Sequence, residues 1–290
     1  MKILALIVTY KPDSAVLQRN IDSFIEHVDR LLIWDNTPGE ERYFGHPAFS
    51  FIEMPKIEIL GDGQNRGVGY ALNQGVRYAM ENGYSYLLTM DQDSYFADKS
   101  FSRLAQTIET LNDSLVAGVV PYACIQNLTP SAGKEEKGVS KTFNAITSGT
   151  VYMTEPMGKI GAFRTDFFID AIDTEYALRA KKNKYYFLQV HEALLQHQLG
   201  NIKMRSLGFR NIRCFNYSPM RCYYFARNQY IVCRNYPSIK RWFAYWKSFI
   251  FRNFSVALFE TDKRKKMGAY FRGLFDGIRG KTGICKRYHE

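Results

Sequence analysis

Leu87-Leu88-Thr89-Met90-Asp91-Gln92-Asp93-Ser94 decides how the rest of the chain is read: an apolar run stops at two carboxylates separated by one residue. On a strand, residues two apart project to the same side, so Asp91 and Asp93 can grip one cation together. Oxygen ligands suit hard ions such as Mg2+ or Mn2+, which complete their shells with water and substrate phosphates. The ligand this predicts is a metal-bound nucleotide. Paired acids in loops are also often merely solvated. The position at the end of a strand favours a site, because ligands of open α/β sheets bind beyond the carboxyl ends of strands.

Outward from that stretch the same grammar repeats. Ile3 to Thr9 and Arg30 to Asp35 are apolar runs of buried-strand length, and Ile57 to Leu60 is a shorter one. Pro12 and Asp13 open a helix expected to reach about His27, and a second helix is expected from Tyr70 to Asn82. Polar clusters follow the strands: Thr9-Tyr10-Lys11-Pro12, Asp35-Asn36-Thr37-Pro38 and Asn65-Arg66-Gly67-Val68-Gly69. Strands alternating with helices at this spacing predict a doubly wound, Rossmann-like α/β sheet whose polar clusters converge on one edge. Farther on, Ser100 to Leu111 reads as a helix, Val116 to Val120 as a strand, and Gln126 to Lys141 as a mobile loop over the site.

The 290 residues carry a net charge of +11, unevenly spread. From His197 to Glu290 there are 20 Lys and Arg against 4 Asp and Glu, whereas residues 1 to 196 have 19 against 24. Such asymmetry points to an anionic partner surface. No RNA- or DNA-binding motif accompanies it, so no nucleic-acid partner is expected. Five cysteines without a C-x-x-C pair are expected as thiols in a reducing cytoplasm. The apolar start, Ile3 to Val8, is too short for a signal peptide, and no run reaches the ~18 apolar residues of a membrane span. Two regions are expected, 1–215 and 216–290, the second helical, basic and aromatic. Within it Trp242, Trp246, Phe249, Ile250, Phe254, Ala257 and Leu258 fall on helical spacing as one apolar stripe, followed by Lys263-Arg264-Lys265-Lys266. That stripe fits either packing on the main sheet or a helix lying in a membrane interface.

Eight segments in order resemble the family 2 glycosyltransferases of the GT-A fold, in particular their rhamnosyltransferase-like branch. They are Ile7 to Pro12, Asp35-Asn36, Asn65 to Asn73, Met90 to Ser94, Ser148-Gly149, Phe168 to Arg179, His197-Gln198-Leu199-Gly200 and Arg221 to Asn228. The resemblance implies a GT-A mixed sheet with a helical, basic C-terminal extension, and an inverting sugar transferase dependent on Mg2+ or Mn2+. By it, Thr9 and Tyr10 line the nucleotide pocket, and Asp35 accepts from the base, although a turn-capping Asp would also explain Asp35. Asn65 and Gly67 let the backbone approach the nucleotide, and Asn73 faces the same cleft. Asp91 and Asp93 hold the cation beside Gln92, with His197 as third ligand and His191 as its competitor.

Asp173 takes the position of the general base, with Asp170 as rival and Glu175 two residues on; one of these acids could instead cap the helix. Ser148 and Gly149 fall near the donor sugar or acceptor. Arg221 and Arg227 reach phosphates or else pair with acids of the fold. The implied donor is dTDP-rhamnose, with another nucleotide sugar such as UDP-galactofuranose as alternative. The implied acceptor is a lipid-linked saccharide of a bacterial surface polysaccharide such as O-antigen. The setting is peripheral, at the cytoplasmic face of the membrane, and a homodimer is compatible with it. A nucleotidyltransferase and a non-catalytic saccharide- or membrane-binding protein are the readings from other classes. The first usually carries a Gly-rich phosphate loop that Thr9-Tyr10-Lys11-Pro12 lacks.

Overall fold

Apolar runs that pair in parallel on both sides of β1 (Ile3–Thr9) build the centre of the sheet, because a strand buried on both faces needs no polar alternation. The computed structural model describes residues 2–39, 44, 47–125, 137–197, 202–208 and 210–288. The chain divides into two units, one of 1–163 and 176–198, the other of 164–175 and 199–290.

In the first unit the strands are β1, β2 (Arg30–Asp35), β3 (Ile57–Leu60), β4 (Tyr86–Asp91), β5 (Tyr95–Phe96), β6 (Val116–Ile125), β7 (Val139–Thr142), β8 (Thr150–Met153) and β9 (Tyr186–His197). They form one sheet in the order β3-β2-β1-β4-β8-β6-β9-β5, with β7 also pairing β9. β3, β2, β1 and β4 are mutually parallel; β8 runs antiparallel between β4 and β6, which makes the sheet mixed. On one face Ile3, Ala5 and Ile7 pack with Leu17, Ile21 and Phe24. On the other, Gly75 of α2 (Val68–Glu81) lets that helix close on Leu6, where a Cβ would stand 2.6 Å from a Leu6 methyl.

The first helix, α1 (Ser14–Asp22), is capped by Asp13 Oδ1 accepting from Val16 N at 3.0 Å. It stops short of the expected His27, because the Ser23 hydroxyl turns back to Asn20 O and also accepts from Phe96 N. The fourth strand takes in Asp91 as its last residue. Residues 139–141, expected in a loop, pair instead with β9 in the register Val139↔Val190; residues 126–136 of that loop lie outside the described residues. Helix α3 (Ser100–Glu109) and the short α4 (Thr154–Ile160) complete the first unit, and the chain passes between units within α5 (Ile172–Lys182).

The second unit holds a hairpin, β10 (Lys203–Leu207) with β11 (Arg210–Cys214), and three helices, α6 (Pro219–Asn235), α7 (Ile239–Phe259) and α8 (Lys263–Ile278). Its core is aromatic, drawn from Phe168, Tyr223, Tyr224, Phe225, Tyr245, Phe249 and Tyr270. A Cβ on Gly273 would collide with the Tyr223 carbonyl, so glycine is what lets α8 lie against α6. Lys266, the last of the four basic residues at 263–266, is buried against Glu260 at 2.9 Å, and Glu260 also accepts from Asn216 N. The expected single stripe on α7 divides: Phe249 is buried, whereas Trp246, Ile250, Phe254 and Leu258 face solvent. No helix of the described residues is long and apolar enough to cross a membrane.

Candidate active site

Three parallel strands end side by side in polar residues, Thr9 on β1, Asp35 on β2 and Asp91 on β4, with Thr9 paired to Asp35 and Val8 to Asp91 in register. Thr9 is fully buried, and its hydroxyl donates to Asp35 Oδ1 at 3.2 Å. Thr37 N donates to the same oxygen at 3.0 Å, so the carboxylate is oriented by two donors on one side. Asn36 bridges outward, accepting from Trp34 Nε1 and donating to the Gly67 carbonyl. Asn65 Oδ1 accepts from Gly67 N at 3.1 Å, and Gly67 sits at φ +84°, a conformation that favours glycine. The loop before α2 is thereby drawn towards the ends of β1 and β2.

Asp91 and Gln92 are fixed by their neighbours. Ser148 Oγ, buried, accepts from Asp91 N at 3.1 Å, and Asn20 Nδ2 donates to Asp91 O at 2.6 Å. Gln92 closes a reciprocal amide pair on Tyr10, accepting from Tyr10 N at 2.7 Å and donating to Tyr10 O at 3.2 Å. Its side chain therefore ties the loops after β1 and β4 together. Gly149 sits at φ +79°, where a Cβ would be 2.7 Å from Pro121, and its N–H donates to Thr89 O. Ser148 and Gly149 thus support the acid-bearing strand from beside it. Asn73, expected to face the cleft, spends its amide on Phe163, donating to Phe163 O and accepting from Phe163 N, both at 2.9 Å.

His197 ends β9, where its Nδ1 shares a 2.8 Å hydrogen bond with Ser94 Oγ and lies 3.9 Å from Asp91 Oδ2. His191 meets Ser140 of β7 instead, which separates the two candidates. Residues 198–200, the rest of the His197 motif, lie outside the described residues. Among the described residues no three His, Cys, Asp or Glu side chains converge as a metal cage, so the expected Asp91, Asp93 and His197 set is not gathered as a closed site. Asp91 is 42% exposed beside the imidazole. A strand-end carboxylate with a neighbouring imidazole fits a hard divalent cation that keeps positions for water and a diphosphate; it does not fit a closed structural metal.

In the second unit the acids ride on a strained loop. Phe168, Asp170 and Ala171 have φ of +64°, +67° and +63°, positions that L side chains adopt at a cost. The strain is held by Asn228 Nδ2, which donates to the carbonyls of Phe167, Ile169 and Asp170 at 2.9, 2.8 and 3.1 Å. Arg227, expected to reach phosphate, is buried and donates to the carbonyls of Asp166, Phe167 and Gly283. Asp170 faces Arg221 Nε at 3.4 Å; burial pushes its carboxyl up, against the pull of Arg221 and Arg252. Glu175 is buried and accepts from Tyr236 Oη at 2.7 Å. Asp173, in the first turn of α5, is half-buried, as is Asp170, and its Oδ1 accepts from Thr174 N.

Asn20, Ser94 and Asn228 are contributors that sequence reasoning assigned no role. Ser94 and Asn228 stand inside motifs already quoted, which was the available signal; Asn20, on the inner face of α1, offered none.

The family model "Glycosyl transferase family 2" matches residues 5–169. The chain is 26% identical to dTDP-rhamnosyl transferase RfbF of Shigella flexneri, over 97% of each chain. GalNAc-T7, solved with UDP, GalNAc and Mn2+, superposes with a TM-score of 0.60 at 12% identity, over 96% of this chain but 56% of its own. A mannosyltransferase from Pyrobaculum calidifontis, in complex with GDP-Man and Mn2+, gives 0.54 at 12% identity over 96% and 75%. S. aureus TarS 1–349 gives 0.55 at 11% over 97% and 92%. These likenesses bear out the expected GT-A fold with its helical C-terminal region. Since the family model takes in more than half of the sequence, including the ends of β1, β2 and β4, the chain belongs to glycosyl transferase family 2.

Proposed function

We propose that this glycosyltransferase moves L-rhamnose from dTDP-rhamnose, with inversion, onto a saccharide carried by a lipid at the cytoplasmic face of a bacterial membrane, in synthesis of a surface polysaccharide such as O-antigen. The observation that carries the donor is the Shigella relative, a dTDP-rhamnosyl transferase aligned from end to end rather than over a shared domain alone. The sheet edge supports the nucleotide part. Asp35, oriented by Thr9 and Thr37, accepts from the imide N–H of the base, and Tyr10, Asn65 and Gly67 border it. Asp91 and Asp93, with His197, would hold Mg2+ or Mn2+, which would neutralise the diphosphate leaving group.

Asp173 is the general base. The acceptor oxygen attacks the anomeric carbon as the bond to dTDP breaks, and its proton passes to the Asp173 carboxylate. The choice of Asp173 follows the family motif, whose base position it takes at the start of α5; Asp170, which faces Arg221, and Glu175, which accepts from Tyr236, are its rivals. Arg227 has no part in phosphate binding in this account, because its guanidinium is spent inside the fold.

The test is calorimetric titration with dTDP-rhamnose, dTDP, UDP-galactofuranose and UDP, each with Mn2+, Mg2+ or EDTA. Metal-dependent binding of the dTDP ligands is expected. Preference for the UDP ligands would overturn the donor, and no binding of any would overturn the transferase reading.

A further inference from the structure

Helix α7 carries large apolar side chains outside its buried face as well as on it. Tyr245, Phe249 and Val256 face the aromatic core, yet Phe243, Trp246 and Ile250 are 69%, 41% and 65% exposed. On α8, Phe271, Phe275 and Ile278 are 45%, 57% and 48% exposed. The spacings i, i+3, i+7 and i, i+4, i+7 put each trio on one face of its helix. Both faces border the buried Phe249: its ring lies 5.9 Å from that of Trp246 and 5.6 Å from that of Phe271. The result is two neighbouring apolar faces in the second unit, one on each side of that ring. Large apolar patches mark interaction surfaces.

Charge selects the partner. Between Ile239 and Lys281 there are 11 Lys and Arg against 3 Asp and Glu, and two of those acids, Glu260 and Asp276, already pair with Lys266 and Lys281. Lys247 on α7, Arg264 and Arg272 on α8 and Arg279 just after it are exposed among the apolar positions. A second copy meeting this face by two-fold symmetry would bring like charge against like. A polynucleotide would match the charge, but Ile250 and Ile278 offer no ring for stacking. An anionic bilayer matches both features, taking the apolar side chains below its headgroups and the basic ones among them. The helix, at 21 residues, has the length to span, but Lys240, Arg241, Lys247 and Arg252 are distributed along it, so it lies in the interface instead.

We infer that the exposed faces of α7 and α8 form a docking surface for anionic phospholipid. The inference rests on the lipid-linked acceptor proposed above only for its purpose, not for its geometry.

The experiment is co-sedimentation of the full chain with vesicles of phosphatidylcholine, with and without phosphatidylglycerol, run beside dTDP titration of the same samples. Binding is expected to the phosphatidylglycerol vesicles and to weaken as salt rises. The double variant Phe243→Ser/Phe275→Ser and the double variant Lys247→Glu/Arg272→Glu should each lower partitioning by roughly tenfold or more, with nucleotide binding unchanged. Absence of partitioning by protein that still binds nucleotide would overturn the surface while leaving the transferase reading intact. Salt-insensitive partitioning to phosphatidylcholine alone, tighter binding to a polynucleotide, or a dimer in light scattering that Phe243→Ser dissociates would overturn it too.

Discussion

The two acid clusters are built on opposite principles. Asp91 ends β4 and Asp93 lies in the turn that follows, and neighbours such as Ser148, Asn20 and Gln92 hold ordinary backbone in place. Asp170, Asp173 and Glu175 stand on and after a loop with three non-glycine residues at positive φ, held by Asn228 and Arg227 nearly 60 positions later in the chain. An edge that binds a large charged ligand can rely on the sheet for its shape. In the role proposed for it, the base follows directly on backbone that is strained and therefore needs dedicated supports.

The largest effect should come from breaking the second cluster chemically: Asp173→Asn is expected to lower sugar transfer by roughly a hundred- to ten-thousand-fold, as removal of a general base does, in a single-turnover assay. Asp170→Asn in the same assay sharpens the contrast; if it alone abolished transfer, the base would be Asp170. Next in size is the physical break. Asn228→Ala leaves three carbonyls without their donor and should cost about 3 kcal/mol in urea unfolding. The corresponding break in the first unit, Gln92→Ala, removes an exposed amide pair and should cost about 1 kcal/mol or less.

A smaller effect separates the units by pH. Burial works to raise the Asp166 carboxyl, but its hydrogen bonds and ion pair with Arg164 outweigh burial and hold it below the usual carboxylate range. Stability from that pair is present above the ordinary carboxylate pKa and is lost as pH falls through the lowered folded value. Arg164→Gln should therefore flatten the acid limb of unfolding, measured by circular dichroism between neutral pH and about pH 3, without changing dTDP binding.

This contrast also explains what could be read in advance. Strands β1, β2 and β4 are continuous apolar runs, and their period announces both the strands and the edge where Asp35 and Asp91 emerge. Strands β7 and β9 were harder, because Val139 to Thr142 is an exposed edge strand whose partner is distant in sequence. The loop from Phe168 to Ala171 has no glycine to betray its positive φ; that conformation is imposed by Asn228. Arg227 shows the converse limit, since a guanidinium looks the same in sequence whether it meets phosphate or three carbonyls. On α7, periodicity identified the apolar residues but could not tell which face is covered, because both are apolar.

Titration of dTDP-rhamnose in the presence of Mn2+ into two variants, Asp91→Asn and Asp173→Asn, tests the division of labour between the clusters most directly. The account predicts that Asp91→Asn loses metal-dependent donor binding, whereas Asp173→Asn binds donor as the parent does and fails only in transfer. Donor binding retained by Asp91→Asn and lost by Asp173→Asn would contradict it.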